Sequence, residues 1–297
     1  MNAVLHPAVE GNGVSSYRVV RQFFFEGLHM QSKNNIQLSD VQAVYRGPEW
    51  HLWELLMGQQ IHIGGLRSST GLAEAAGIES GTTGVDLCCC TGAGMRFLVR
   101  FRDVGRMRGV DATDAVIERG RIRCREEGLA DRVDFTLADA CATGLESGFA
   151  DFVWGEDAWC YVINKPALIA EAARLVKPGG KIAFTDWVEG APGMSDAEME
   201  RFLKFMKFPD VQTLAGYAEL LTQNGCEVVV NGNTEQFAPC VDLYLEMVDR
   251  QLTYDALRIL GFDADMLGAV AEEMKFMQSL AHQGKIIQGR FVARKTG

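Results

Sequence analysis

The stretch Asp86-Leu87-Cys88-Cys89-Cys90-Thr91-Gly92-Ala93-Gly94 ends an apolar run with a carboxylate, then gives three cysteines and two glycines. Glycine lets a backbone approach a ligand closely, and a helix starting there aims its unpaired N–H groups at the same point. Such a corner can take a nucleotide-like molecule. Further carboxylates follow at regular intervals. Asp111 closes the run Met107 to Val110, where it can accept hydrogen bonds from both hydroxyls of a ribose. Asp139, inside Ala138-Asp139-Ala140, follows Arg132 to Leu137, where it can accept from an adenine amino group. Glu156 and Asp157 follow Asp151 to Gly155 and can hold an amine or accept a proton. The dinucleotide pattern G-x-G-x-x-G is absent, because Phe97 stands where close helix–strand packing needs a small residue. That argues against a dinucleotide oxidoreductase.

Short apolar runs must position these groups. Thr83 to Cys88, Met107 to Val110, Arg132 to Leu137, Asp151 to Gly155 and Lys181 to Asp186 read as five strands, and Glu227 to Val230 and Lys285 to Ala293 as two more. Helical patterns separate them at Gly94 to Phe101, Asp114 to Glu127, Lys165 to Val176 and Tyr217 to Asn224. Lys177-Pro178-Gly179-Gly180 reads as a helix stop. Strand and helix alternating at this spacing give a doubly wound α/β fold, with a seven-stranded, mostly parallel sheet. Tyr17 to Met30 and Glu49 to Met57 read as helices of an N-terminal cap. Pro239 to His282 reads as helical in at least two pieces, too long for a simple connection. One domain is expected: cap 1–80, core 81–235, helical cover 236–283 and last strand 284–297.

The chain has 297 residues and a formal net charge of -10, which disfavours a phosphate backbone as partner and excludes nucleic acid. Ten arginines against seven acids between Arg96 and Arg132 read as the solvated face of two helices rather than an anion patch. No apolar run approaches the roughly 18 residues a bilayer span needs, so no membrane is expected. No signal peptide is visible before Val14. Eight cysteines include three adjacent ones and no C-x-x-C pair, which fits a reducing cytoplasm rather than disulfides or a metal site. The assembly is left open between monomer and homodimer.

Taken in order and spacing, five segments resemble the class I S-adenosylmethionine-dependent methyltransferases. They are Val85 to Gly94, Gly109 to Thr113, Leu137 to Ala140, Asp151 to Trp159, and Leu175 to Gly180. The first departs from the family's D-x-G-x-G-x-G, since Cys88 and Cys90 replace its first two glycines. A Cβ disfavours positive φ, so Cys90 is expected at negative φ, with Gly92 carrying the unusual backbone. The resemblance implies S-adenosyl-L-methionine as cofactor. Asp86 would sit near its amino-acid end, with Cys88, Thr91 and Gly92 along its path. Asp111 would hold the ribose, Ala112 and Thr113 would border the adenine, Asp139 would meet the adenine amino group, and Ala140 would pack beside it. Gly155 and Glu156 would lie under the methionine portion.

Gly58 to Gly65 resembles the segment preceding the sheet in sarcosine/dimethylglycine N-methyltransferases and their small-molecule relatives. In those enzymes it folds over the cofactor with an upstream tyrosine, which implies Tyr45, Ile63 and Gly64 here, and makes His62 a catalytic candidate beside Glu156. Asp157, Trp159, Tyr161 and Trp187 fall near strand ends and are the candidate substrate wall. Aromatic faces there suit an apolar or cationic substrate. The expected reaction is methyl transfer to a small molecule, a small amine such as sarcosine or dimethylglycine. The alternative is a C- or O-methyltransferase acting on an apolar, isoprenoid-like compound.

Overall fold

Val85, Leu87, Val110, Val153, Ile182 and Ala293 are all fully buried. Strands this apolar on both faces need helices on both faces. The computed structural model describes residues 35–297 apart from residue 48, and Glu49 by its backbone alone; the expected helix Tyr17 to Met30 lies outside the described residues. Eight strands are found: β1 Thr83–Leu87, β2 Arg106–Asp111, β3 Val133–Leu137, β4 Ala150–Glu156, β5 Val176–Glu189, β6 Gln212–Thr213, β7 Cys226–Asn233 and β8 Ile286–Lys295. Seven run in the order β3-β2-β1-β4-β5-β8-β7, and the two-residue β6 pairs with the end of β5. β8 runs opposite to the other strands of this order, antiparallel to both β5 and β7, between which it is wedged.

The chain winds outward from β1 to β3, then returns to place β4 on the other side of β1. At that reversal the connections leave in opposite directions and open a crevice above the carboxyl ends of β1 and β4, the place where such sheets take ligands. Asp86 pairs with Trp154 across the two strands, so Asp86 and Glu156 meet at this crevice.

Eleven helices are described: α1 Leu38–Arg46, α2 Glu49–Met57, α3 Gly65–Ala76, α4 Ala93–Phe101, α5 Asp114–Glu126, α6 Lys165–Leu175, α7 Asp196–Met206, α8 Leu214–Gln223, α9 Phe237–Arg250, α10 Thr253–Ile259 and α11 Ala264–His282. A one-turn 3-10 helix occupies Trp159–Tyr161. Asn164 caps α6 by accepting from the Ala167 N–H, with Pro166 in the first turn. The cover is three helices. It shares an apolar cluster with α7 through Met206, Phe208, Val241, Tyr244, Met274 and Met277.

Several elements differ from expectation. α6 stops at Leu175 and β5 begins at once, so Lys177-Pro178-Gly179-Gly180 lies in the strand rather than after the helix. The pairing to β4 skips between Ala150 and Phe152, and Gly179 has φ 78°, so the four residues form an irregular bulge. α7 carries a readable signal, a capping box in which Ser195 and Glu198 bond each other's backbone N–H groups.

Gly155 has no room for a side chain: a Cβ there would stand 2.3 Å from Nε1 of Trp159. Trp159 cannot move aside, because it is fully buried and stacked on Phe184 at 4.0 Å. Gly155→Ala is expected to lower the unfolding free energy by about 1–3 kcal/mol, the usual cost of overpacking. Urea unfolding of the ligand-free protein checks this, and an unchanged midpoint would contradict it.

Candidate active site

The turn after β1 is wound against the preference of its residues. Cys88 has φ 62°, Cys90 φ 49° and Gly92 φ 71°. The expected negative φ at Cys90 is therefore wrong; both cysteines adopt the left-handed backbone that favours glycine. Left-handed backbone at a residue with a Cβ costs of order 1 kcal/mol or more. Hydrogen bonds offset that cost. The Cys90 N–H donates to Asp111 Oδ2 at 2.9 Å, the Cys89 N–H to the Val110 carbonyl at 3.0 Å and the Gly92 N–H to the Cys89 carbonyl at 2.8 Å. Asp111 Oδ1 accepts from the Thr113 N–H at 2.8 Å. One carboxylate thus ties the β1 turn to the β2 turn and keeps lone pairs for a ligand. Burial pushes its pKa up, and these amides work against the shift.

Two arginines hold the far side of the turn. Arg96, buried, donates from Nη1 to the Thr91 carbonyl at 2.6 Å, from Nη2 to Gln59 Oε1 at 2.6 Å, and pairs through Nε with Glu127 at 3.0 Å. Arg123 donates to Thr91 Oγ1 at 3.3 Å and pairs with Glu54 at 2.5 Å. Neither was singled out individually from the sequence. Most of the arginine-rich stretch is spent on similar pairs, such as Arg100 with Glu127 and Arg106 with Asp134, which agrees with a solvated helix face.

Around this turn the expected cofactor residues lie together. Ala112 accepts from the Gln42 side chain at 2.8 Å, which brings α1 to the site. Tyr45, on the same helix, packs edge-on to Tyr161 with ring centroids 6.0 Å apart. Burial, Tyr161, Cys90 and Asp111 together raise its pKa. Asp139 is exposed, with Oδ1 bonded to the Cys141 N–H at 2.8 Å, and Ala140 is buried beside it.

The segment before α3 closes over the start of α4. Gln60 donates to the Ala93 carbonyl at 3.1 Å. His62, buried, sets Nε2 3.4 Å from Glu156 Oε1, 3.2 Å from Gln60 Oε1 and 3.2 Å from Ser69 Oγ, while Nδ1 is 3.3 Å from the Ile63 carbonyl. Both ring nitrogens are engaged by Gln60, Ser69 and Ile63, and Glu156 lies within ion-pairing reach of Nε2. Glu156 itself is anomalous. Its side chain is 7% exposed, yet Oε1 has no partner at good hydrogen-bonding geometry. Asp86 stands beside it, also buried; burial first, then Glu156 and Asp111, raise its pKa well above the usual carboxylate range. Gly94 keeps the space open, since a Cβ there would lie 2.6 Å from Glu156 Oε2. Two buried carboxylates thus stand side by side, with no lysine or arginine against them and His62 as their one basic neighbour.

The expected substrate wall divides. Asp157 is spent within the protein: Oδ2 accepts from the Ile63 N–H at 2.8 Å, and both oxygens accept from Gln288 Nε2 at 2.8 and 3.0 Å. Trp159 is a core residue whose indole N–H donates to the Leu87 carbonyl at 3.2 Å. Tyr161 and Trp187 do share an aromatic cluster. Trp187 meets Phe237 at 4.7 Å and Phe208 at 5.5 Å, and Tyr161 meets Phe208 at 4.7 Å. Beneath it lies Asp186, fully buried, which accepts from the Tyr217 hydroxyl at 2.6 Å and the Cys160 N–H at 3.1 Å. Asp186 escaped the sequence reading, having no motif, only a place beside Trp187. The cysteines are all free. Burial and Asp111 push the Cys90 thiol up to about 12, which leaves it protonated and a poor nucleophile.

The doubly wound sheet, with carboxylates gathered at its switch point, has the arrangement of a Rossmann-like methyltransferase fold. Residues 85–184 match the family model described as a methyltransferase domain, whose cofactor is S-adenosylmethionine. Phosphoethanolamine N-methyltransferase 1 of Arabidopsis thaliana is 25% identical over 201 residues, 67% of this chain and 40% of that protein. The chain therefore spans well under half the length of that relative. A Galdieria sulphuraria structure assigned as a sarcosine dimethylglycine methyltransferase superposes with TM-score 0.73 at 20% identity, over 84% of this chain and 97% of the other. Geranyl diphosphate C-methyltransferase of Streptomyces coelicolor superposes with TM-score 0.66 at 16% identity, over 78% and 79% of the two chains. At these identities the two structures share the fold.

Two expectations follow from the site. Cys90→Gly should unfold at the same or a higher denaturant concentration than the parent, whereas Cys90→Val should lose about 1–3 kcal/mol, since a β-branched residue tolerates positive φ worst. Equal midpoints for the two would remove strain from the account. The second concerns pH. Burial raises the Asp186 pKa to about 7, against roughly 4 in an unfolded chain. Between those values the folded state binds the extra proton, so this group's contribution falls as pH rises towards 7 and is lost above it. Urea midpoints of Asp186→Asn between pH 5 and 8 should vary less with pH than the parent's; a parallel curve would count against it.

Proposed function

We propose that this protein transfers a methyl group from S-adenosylmethionine to a small molecule, with a small amine as the preferred class of acceptor. The observation that carries the reading is the pair Asp86 and Glu156: buried, adjacent and with no lysine or arginine against them. The residues suit the cofactor. Asp111 offers carboxylate lone pairs to a diol, the Cys88 to Gly92 turn offers backbone, Asp139 and Ala140 border the base, and Asp86 and Glu156 receive the ammonium of the methionine portion. When bound, S-adenosylmethionine supplies a methyl group on a sulfonium, which is already activated towards a nucleophile. The protein's part is then alignment and exclusion of water, and orientation of this kind accounts for roughly 7–11 kcal/mol of a barrier. Gln60 and His62 fix the segment that covers the site, with His62 as a positioning residue acting through Glu156.

The acceptor side is argued from the aromatic cluster around Tyr161, Trp187, Phe208 and Phe237. Such faces stabilise the positive charge that a neutral amine acquires as its lone pair takes the methyl group, by about 0.5–2 kcal/mol each. Lys165, which reaches the Cys160 carbonyl at 3.2 Å, is already held by Asp210 at 2.8 Å and the Val162 carbonyl at 2.5 Å, so it is not free to take a diphosphate. The same cluster is also apolar enough for a hydrocarbon acceptor, which supports C- or O-methylation as the second reading. The relatives include proteins named for both kinds of transfer.

Calorimetry tests the first claim. S-adenosylhomocysteine should bind the parent, and Asp111→Ala should weaken it at least tenfold by unpairing the Cys90 and Thr113 amides as well as the ligand. No binding by folded parent protein would sink the assignment. Labelled cofactor offered with amines, carboxylates, phenols and isoprenoids would then separate the two readings by which product carries the label.

A further inference from the structure

Almost every arginine described here has a hydrogen bond, an ion pair or an aromatic face. Arg108, for example, lies over Phe149 at 5.1 Å and Arg201 over Phe276 while it pairs with Glu273. Two do not. Among the described residues, Arg67 and Arg290 have neither a hydrogen bond nor an ion pair, and both line one cavity of about 440 Å³. Its remaining walls are Leu66, Thr70, Gly71, Glu74 and Gln236. Glu74 pairs with Arg102 at 3.2 Å and acts on Arg290 only as a nearby charge, without a hydrogen bond or ion pair to it.

Arg290 carries the argument furthest. Its Nε is buried without a hydrogen-bond partner; burial lowers the pKa of the guanidinium, and the nearby Glu74 charge works against that shift. Leaving a charged donor unpaired in the protein costs free energy that a hydrogen bond would recover. The sequence also makes room for it. Gly71 sits inside α3, where glycine costs roughly 1 kcal/mol relative to alanine. It does not have positive φ, so turn geometry does not call for it. A Cβ at this position would lie 2.9 Å from Nη2 of Arg290. The helix is notched where the guanidinium lies. Guanidinium groups present a planar fork that matches carboxylate and phosphate oxygens, and the volume suits a metabolite rather than a macromolecule.

We propose that the cavity between α3 and β8 is a second binding site, which takes the oxyanion group, carboxylate or phosphate, of a small molecule between Arg67 and Arg290. It is separate from the Asp86–Glu156 crevice. Gln236, on its wall, packs against Gly64, where a Cβ would meet Gln236 Oε1 at 2.3 Å. The site therefore borders the segment bearing His62 and Ile63. The proposal does not depend on the methyltransferase reading.

Isothermal titration of the full chain with inorganic phosphate and with citrate, in chloride buffer at constant ionic strength, tests it. The parent should bind at least one of them saturably at one site. Arg67→Ala and Arg290→Gln should each weaken that binding tenfold or more while S-adenosylhomocysteine binding stays within about twofold. Arg67 is exposed, so Arg67→Ala serves even where Arg290→Gln disturbs folding. Saturable binding of neither probe, or binding that Arg67→Ala leaves unchanged, would overturn the proposal.

Discussion

The hydrogen bonds that Asp111 accepts from Cys90 and Thr113 are the contact on which the rest of the site depends. They fasten a turn whose two cysteines stand at positive φ to the end of the neighbouring strand. Without that anchor the turn would relax towards ordinary backbone, and α4 would start elsewhere. The helix start matters because Gly94, Ala93 and the Thr91 carbonyl are the points that Glu156, Gln60 and Arg96 each require. One carboxylate thus sets the loop, the loop sets the helix, and the helix fixes where the covering segment lands.

The covering segment shows how a polar site is closed without a polar core. Ile63 is fully buried, yet its N–H meets Asp157 and its carbonyl meets Gln288, while Asp157 also meets Gln288. These three groups satisfy one another, so burial costs little. Asp157 can stand at φ 50° because this network holds it there. The Asp86 and Glu156 pair a few ångströms along the strand is the opposite case. It is left unsatisfied, with Gly94 keeping the space beside it clear. A fold that completes one buried carboxylate and leaves its neighbours incomplete has separated a structural acid from a receiving one.

How much of this was legible follows from range. The strands and the switch point came from apolar runs and their spacing, which are local, and β1 to β4 lie within one or two residues of where the sequence puts them. Asp111 and the Glu156 segment were legible for the same reason: they are strand ends. Trp159 and Asp157 were not. Their neighbours decide them, Leu87 and Phe184 for the first, Ile63 and Gln288 for the second, and those lie 94 and 131 residues from Asp157. Cys90 was misread because a steric preference of order 1 kcal/mol was weighed without the hydrogen bond that opposes it. Arg96 and Arg123 were hidden among ten arginines whose composition says surface; only the partners, Thr91, Gln59 and Glu54, single them out.

That last point bears on how charge is distributed in an acidic protein. With a net charge of -10, a cation left unpaired is the exception that needs a cause, because acids are abundant and a surface pair forms at little cost. Most of the described arginines have an acid, from Arg46 on Asp114 to Arg294 on Glu227, while Arg108 and Arg119 lie over aromatic rings instead. Two guanidinium groups without an ion pair line one cavity, and two buried carboxylates whose one basic neighbour is His62 meet at the sheet's switch point. Each leaves an electrostatic field that the protein does not cancel internally. Asp86, Glu156 and Nε of Arg290 are buried, which is where an uncancelled charge costs most and where a partner from solution would recover most.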